Sequence, residues 1–234
     1  MVLCDEVSLT ACHRATGIDH KVIEKLVGKC RGIITQHVAE LEAAMKVGGQ
    51  GKLVEQDEVA VRKTDSAKKQ GRQQVKWNIW VGAKERGNRK SLVLQKRADD
   101  KCIVTRQKLT KTQLKRGVLK GRASPPGYTK DEYAKFKETF LAAGSWHMTD
   151  GAKAYKSVLA EKSELHDAVS HDPSRKGTQS LDGLWKHVKK ALESVQASDP
   201  QGVRTHVKLF QWHHWHRMDD RWAILGQILK LYGD

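Results

Sequence analysis

Between Ser145 and Val158 the chain reads SWHMTDGAKAYKSV. Trp146 to Thr149 is short and mostly apolar, as a buried strand is. Asp150 and Gly151 interrupt it, and a helix-forming segment with Lys153 near its start follows. Strand, tight turn and helix make the repeating unit of an open α/β sheet, and such sheets collect their chemistry where strands end. Asp150 stands at that place, and glycine behind it lets the backbone turn sharply.

The same texture continues on both sides. Upstream, KLVEQDEVAV (52–61) alternates as a strand does, with Asp57 on one face beside Leu53, Glu55, Val59 and Val61. KWNIWVGAKERGNRKSLVLQK (76–96) predicts two strands joined by a turn at Gly87–Asn88. The basic, glycine-containing DSAKKQGRQQ (65–74) between the first two strands reads as a loop. Residues 105–116 read as helical, GRASPPGYTK (121–130) as a loop, and 131–143 as a helix. Downstream of Asp150, HDAVSH (166–171) offers a fifth strand, a long helix begins near Ser180, and residues 203–232 form one or two amphipathic helices. Three sequential strands followed by α/β units predict a five-stranded mixed sheet with helices on its faces.

The amino-terminal part has a different character. Residues 8–17 and 18–46 outline a short helix, a stop at Gly17 and a longer helix capped by Asp19. Short helix, turn and longer helix resemble a helix-turn-helix, whose second helix would show His20, Lys21 and Lys25 outward. KVGGQGK (46–52) follows as a flexible joint. These features divide the chain into a helical segment, 1–48, and an α/β domain with carboxy-terminal helices, 49–234.

Composition bounds the function. The chain has 234 residues, 38% hydrophobic and 30% charged, enough for a sizeable core. No apolar run approaches the roughly 20 residues that span a bilayer, and MVLCDEVSLT lacks the basic and apolar parts of a signal peptide. The four cysteines are scattered without a C-x-x-C pair, which suits a reducing, intracellular compartment. Cys12 beside His13 reads as a small buried thiol rather than a metal site. The formal charge is +16, and it is uneven. Residues 1–50 hold six basic and six acidic groups, whereas Arg62 to Lys130 hold 21 basic and four acidic ones. A field of that density attracts polyanions, of which nucleic acid is the common one.

Three carboxylates then stand out. Asp57 lies in the first strand, Asp150 at the tip of the fourth, and Asp182 in the first turn of SLDGLWKHVKKAL. On that helix Leu181, Leu184, Trp185, Val188 and Leu192 make the buried face, and Asp182, Lys186 and Lys189 run along its edge. Taken singly, Asp150 also serves as a turn former and Asp182 as a favourable helix-start charge. Drawn together, three carboxylates repel, and a hard divalent cation such as magnesium or manganese offsets that repulsion.

VEQDEVAVRK, SWHMTDGAKAY and TQSLDGLWKHVKK, in that order, resemble the DDE-type transposases of bacterial insertion sequences and their eukaryotic relatives, in particular the ISXO-two-like domain family. That family carries V-D-E at a strand end, T-D-G followed by A-Y, and a helix opening I-E-x-L-W with basic residues. The intervals, 93 residues from Asp57 to Asp150 and 32 from Asp150 to Asp182, suit it. The resemblance covers roughly residues 50–220. It implies a ribonuclease-H-like fold and cleavage of a phosphodiester at a transposon end, followed by attack of the freed 3′-hydroxyl on target DNA. Asp57, Asp150 and Asp182 would hold two Mg2+ or Mn2+ ions. His20, Lys21, Lys25, Lys68, Lys69, Arg72, Lys153, Lys186 and Lys189 would contact DNA, with the chain acting as a homodimer or higher oligomer. The compartment implied is the nucleus of a eukaryote or the cytoplasm and nucleoid of a bacterium.

Three features depart from the family pattern. The third acid is Asp182, where glutamate or asparagine is usual. The stretch before Trp146 is long, with an added basic helix. The helix usually found before the amino-terminal pair is absent or very short, which leaves that unit's completeness open. A catalytically inactive, DNA-binding descendant and a nuclease on the same fold are the alternatives. The histidines of WHHWHR (212–217) suggest zinc only weakly: Trp212 and Trp215 read as packing residues, with the histidines facing water or DNA. His171, at a strand end, reads as a support or DNA contact.

Overall fold

The computed structural model describes residues 3–4, 7–69, 72–97, 103–108, 111–112, 124–161, 164–168, 178–196 and 199–232, without side chains at 62–69, 72–75 and 103–108. Their helices are α1 (Leu9–Thr16), α2 (His20–Ala44), α3 (Lys130–Phe140), α4 (Lys153–Glu161), α5 (Gln179–Ala191), α6 (Pro200–Trp215) and α7 (Arg221–Tyr232). Their strands are β1 (Leu53–Lys69), β2 (Arg72–Glu85), β3 (Val93–Lys96), β4 (Ile103–Lys108), β5 (Trp146–Thr149) and β6 (His166–Ala168).

The sheet runs β3-β2-β1-β5-β6, with β4 pairing the outer part of β2. β1, β2 and β3 form an antiparallel meander, while β5 and β6 lie parallel to β1. The chain is therefore α/β, with a mixed sheet flanked by helices.

Strand alternation sorts the core into two layers. One face of the sheet sends Val61, Trp80, Leu92 and Leu94 against α2, α5, α6 and α7, where Ile34, Val38, Leu181, Trp185, Val207 and Trp212 are buried. The other sends Val54, Val81, Ala83 and Val93 against α3 and α4, where Tyr133, Phe136, Tyr155 and Leu159 are buried. Glu55 and Asp57 share the first face with Val61, as the alternation predicts.

Local chemistry explains the helix limits. Ser8 accepts from Ala11 N and Asp19 from Lys21 N at the starts of α1 and α2, and Gly17 ends α1 at φ 69°. Thr129 and Glu132 close a reciprocal capping box on α3. The 25 residues of α2 reach about 37 Å at 1.5 Å per residue. Its later turns join the sheet through Glu42, which is 1% exposed. Glu42 accepts from Leu94 N, from Gln95 and Gln211 side chains, and from the Lys208 ammonium. Lys208 also donates to Leu94 O, and Gln211 and Trp215 both donate to Leu92 O. Side chains from α2 and α6 thus satisfy the outer backbone groups of the edge strand β3, which leaves less of it open to pairing.

Three expectations change. Apart from residues 70–71, which lie outside the described residues, DSAKKQGRQQ is strand and not loop: β1 runs on to Lys69 and β2 starts at Arg72, paired as far as Lys69↔Arg72 with two shifts of register on the way. Residues 105–108 are not helical but belong to β4, which pairs β2 from Trp77↔Ile103 to Arg72↔Lys108. Both errors share a cause. The segment is polar, so hydrophobic alternation is silent, while a backbone ladder on both sides of β2 holds it extended. The KVGGQGK joint is a fixed turn. Gly48, at φ 92°, has no room for a side chain beside Ser145 and Val54. Gly49 N donates to Ser145 Oγ, and Gly51 N to Gly144 O. No described helix is long and apolar enough to cross a membrane.

Candidate active site

β1 and β5 pair in parallel from Leu53↔Trp146 to Glu55↔Met148. Continued two residues beyond its last pair, the same register leads from Asp57 to Asp150, which follows the carboxyl end of β5. Gly151 turns the chain there at φ 83°, a conformation that favours glycine. A Cβ on it would also lie 3.4 Å from that of Ala168. Asp150 Oδ1 accepts from Ala152 N at 3.0 Å, which steadies the carboxylate over the turn.

Asp182 arrives from α5, exposed in its first turn, with Oδ2 accepting from Thr178 Oγ1 at 3.2 Å. Asp57, like Asp150, is half-buried. Its Oδ2 accepts the indole N–H of Trp185 at 2.9 Å. Burial, then the negative charge of Asp182 and more weakly that of Asp150, push its pKa up to about 7, against the opposing hydrogen bonds from Glu58 N and Trp185. The other two predicted acids therefore both act on the Asp57 carboxyl group. Among the described residues, no group of three or more His, Cys, Asp or Glu side chains is gathered closely enough to hold a metal as it stands.

Four further residues shape this region. Glu55 Oε2 accepts from Ser180 N, Ser180 Oγ and Leu181 N at 3.1, 2.7 and 3.1 Å, and Oε1 from Arg86 Nε at 2.9 Å. Gly82 is the cross-strand partner of Asp57, and Trp185 lies over it. Glu58, on the opposite face, is pushed up to about 7 by burial and by the charges of Asp150 and Glu132, with Arg97 opposing. Its Oε2 is 3.7 Å from Arg97 Nη1. Arg97 in turn holds Glu132 and the carbonyls of Pro126 and Gly127, which pins the proline-containing segment beside the site. The sequence carried a signal for Glu55 and Glu58: both are acids among the apolar residues Leu53, Val54, Val59, Ala60 and Val61 of one strand. Gly82 carried a weaker one, as a glycine inside a strand.

Behind the acids, Tyr133 Oη donates to Gln56, whose amide faces His147 Nδ1 at 2.8 Å. Burial drives the His147 pKa down to about 4, although its Nε2 sits 3.0 Å from Glu164.

The predicted DNA contacts are scattered. His20, Lys21 and Lys25 are exposed on α2, Lys153 on α4, and Lys186 and Lys189 on α5. Lys68, Lys69 and Arg72 lie on the β1–β2 hairpin, and their side chains are not described. Lys156, which no sequence pattern singles out, places Nζ 3.9 Å from the position a Gly151 Cβ would take. His171 lies outside the described residues. Trp212 and Trp215 are buried, as expected. Their neighbouring histidines have separate partners: His213 faces Arg221, and His216 faces Asp219. Burial, with Lys84, Arg89 and Arg217 nearby, lowers His214 to about 4. Compared with protein-family models, curated proteins and solved structures, the chain matches none.

Proposed function

We propose that the chain is a metal-dependent DNA transposase of the DDE type, built on a ribonuclease-H-like fold. The observation that carries the proposal is that the charges of Asp182 and Asp150 both raise the Asp57 pKa, while the β1–β5 register, continued two residues beyond its last pair, leads from Asp57 to Asp150. The sheet order, a three-strand antiparallel meander followed by two parallel strands, supports the fold assignment.

The donor set fits a hard divalent cation. It consists of carboxylates alone, steadied by hydrogen bonds from Trp185 and Glu58 N to Asp57, from Ala152 N to Asp150 and from Thr178 to Asp182, and a cation among them would offset their repulsion. Asp57, Asp150 and Asp182 would hold one or two Mg2+ or Mn2+ ions, which when bound activate a nucleophilic oxygen and stabilise the leaving oxygen in phosphoryl transfer. The chain's own part is to fix the acids and to attract DNA. The net charge of +16 supports the second role. The substrates are transposon ends and target DNA, handled by an oligomer inside the cell.

Strand transfer from DNA flanking the gene into a target, with Mg2+ or Mn2+, tests the reading. Asp57→Asn, Asp150→Asn and Asp182→Ala should each abolish cleavage while DNA affinity persists. Asp182→Ala opens no core cavity, so its stability cost should stay near the about 0.3–1 kcal/mol of a helix-start charge. Cleavage without transfer would make the chain a nuclease. Binding without cleavage would make it an inactive descendant, a reading that the shorter third acid favours.

A further inference from the structure

We infer that Glu55 and Trp185 are positioning residues: they clamp α5 onto β1 from both sides of Asp182 and so fix where Asp182 stands relative to Asp57. The inference rests on the carboxylate reading above.

The start of α5 has no cap of its own. The Thr178 side chain makes no capping bond, and its hydroxyl is directed to Asp182 instead. The N–H groups of Ser180 and Leu181 donate to Glu55 on β1, that of Leu181 being shared with Thr178 O. A buried carboxylate at a helix start is favoured by the helix dipole as well as by these bonds. Glu55 is two residues before Asp57, so the strand that carries one acid also sets the height of the helix that carries another.

Trp185 forms the second attachment, one turn after Leu181. Its indole N–H reaches Asp57 while the ring takes the space beside Gly82, the residue paired with Asp57. A Cβ at Gly82 would fall 2.8 Å from Trp185 Cζ2 and 3.1 Å from Leu181 Cδ1, so any larger residue must displace the ring. Ser180 and Leu181 on one side and Trp185 on the other therefore bracket Asp182. An ordinary core tryptophan would need neither an acidic acceptor nor a glycine beneath it.

Manganese ion alone, titrated into the full chain by calorimetry and followed by electron paramagnetic resonance, provides the test. Trp185→Phe keeps an aromatic ring, a smaller one, but removes the N–H. Gly82→Ala keeps the N–H but moves the ring. Each should weaken Mn2+ binding about 10–100-fold, the usual cost of losing a group that orients a metal ligand. The double variant should lose no more than the worse single one, because both disrupt the same contact. Glu55→Gln should also weaken binding, by loosening the helix start. Melting in EDTA shows which variants remain folded. As a second readout in the parent, the indole N–H resonance that Trp185→Phe removes should shift on adding diamagnetic Mg2+, and should not shift in Asp57→Asn. Folded Trp185→Phe and Gly82→Ala proteins that bind Mn2+ like the parent, while Asp57→Asn and Asp182→Ala do not, would overturn the clamp alone. A parent that binds no Mn2+, or an Asp57→Asn variant that binds like the parent, would overturn the carboxylate reading and the clamp with it.

Discussion

Replacing Asp57 by asparagine should make the protein more stable at alkaline pH and leave it nearly unchanged at acid pH. The sign follows from proton linkage. In the unfolded chain the carboxyl ionises near its ordinary value of 3.8, whereas in the fold it holds its proton up to about 7. Between those values the folded state binds more protons than the unfolded one, so stability falls as pH rises, and above about pH 7 the whole penalty is present. Raising a pKa from 3.8 to about 7 corresponds to roughly 4 kcal/mol at 1.36 kcal/mol per tenfold change in ionisation. Relaxation of the acids away from one another will reduce this, so about 1–4 kcal/mol is the expected gain for Asp57→Asn at pH 8.5. Asparagine preserves the shape, and its carbonyl still accepts from Trp185. The assay is urea unfolding of parent and variant at pH 4 and 8.5, in EDTA and at fixed ionic strength. Comparing the two proteins cancels the other titrating groups: Glu58, which shifts in the same sense, and His147 and His214, which shift in the opposite one. With Mg2+ added, the alkaline penalty of the parent should shrink while the variant does not respond. A variant no more stable than the parent at pH 8.5, or destabilised equally at both pH values, would mean that Asp57 is not held as a strained acid among acids.

Lys208→Met should cost about 3–5 kcal/mol in denaturant unfolding, because it strands the buried Glu42 carboxylate and removes a donor from Leu94 O; Glu42→Leu together with Lys208→Met should cost less than the sum of the single changes. Acid should destabilise the parent through His147 and His214: their pKa values fall from 6.5 to about 4 on folding, so their contribution is complete above pH 6.5 and is lost as pH drops through 4. His147→Gln should flatten that loss in melting curves between pH 7 and 4. Neutralising Lys68, Lys69 and Arg72 on the β1–β2 hairpin should lower the slope of log affinity for duplex DNA against log salt, by about 0.9 for each phosphate that the hairpin then leaves unpaired. Neutralising Lys21, Lys25 and Lys29 on α2 should change it less, since residues 1–50 carry no net charge.

The fold was legible wherever burial left a periodic trace. Alternation in KLVEQDEVAV placed Glu55, Asp57 and Val61 on one face, and the apolar stripe of α5 placed Leu181, Trp185 and Val188 against it. Spacing contributed as well: the offset of the β1–β5 register equals the interval between Asp57 and Asp150, so that register, carried two residues past its last pair, leads from one acid to the other. Polar segments left no such trace. The hairpin beyond Val61 is extended because both sides of β2 are paired, and no count of apolar residues reports a backbone ladder. Buried ionic groups were hidden for the opposite reason. Glu42, Lys208 and Glu55 are residue types that usually face water, so helix and strand patterns assign them outward. Yet Glu55 did carry a sign of its role. The face of β1 that holds Leu53, Val59 and Val61 also holds two successive acids, Glu55 and Asp57. Burying one there requires donors from another element, and a helix start, with its unpaired N–H groups, supplies several at once. Two acids in tandem on an apolar strand face are therefore a reason to look for a helix beginning above the first and a donor side chain above the second, one turn further on. In this chain those are Ser180 with Leu181, and Trp185.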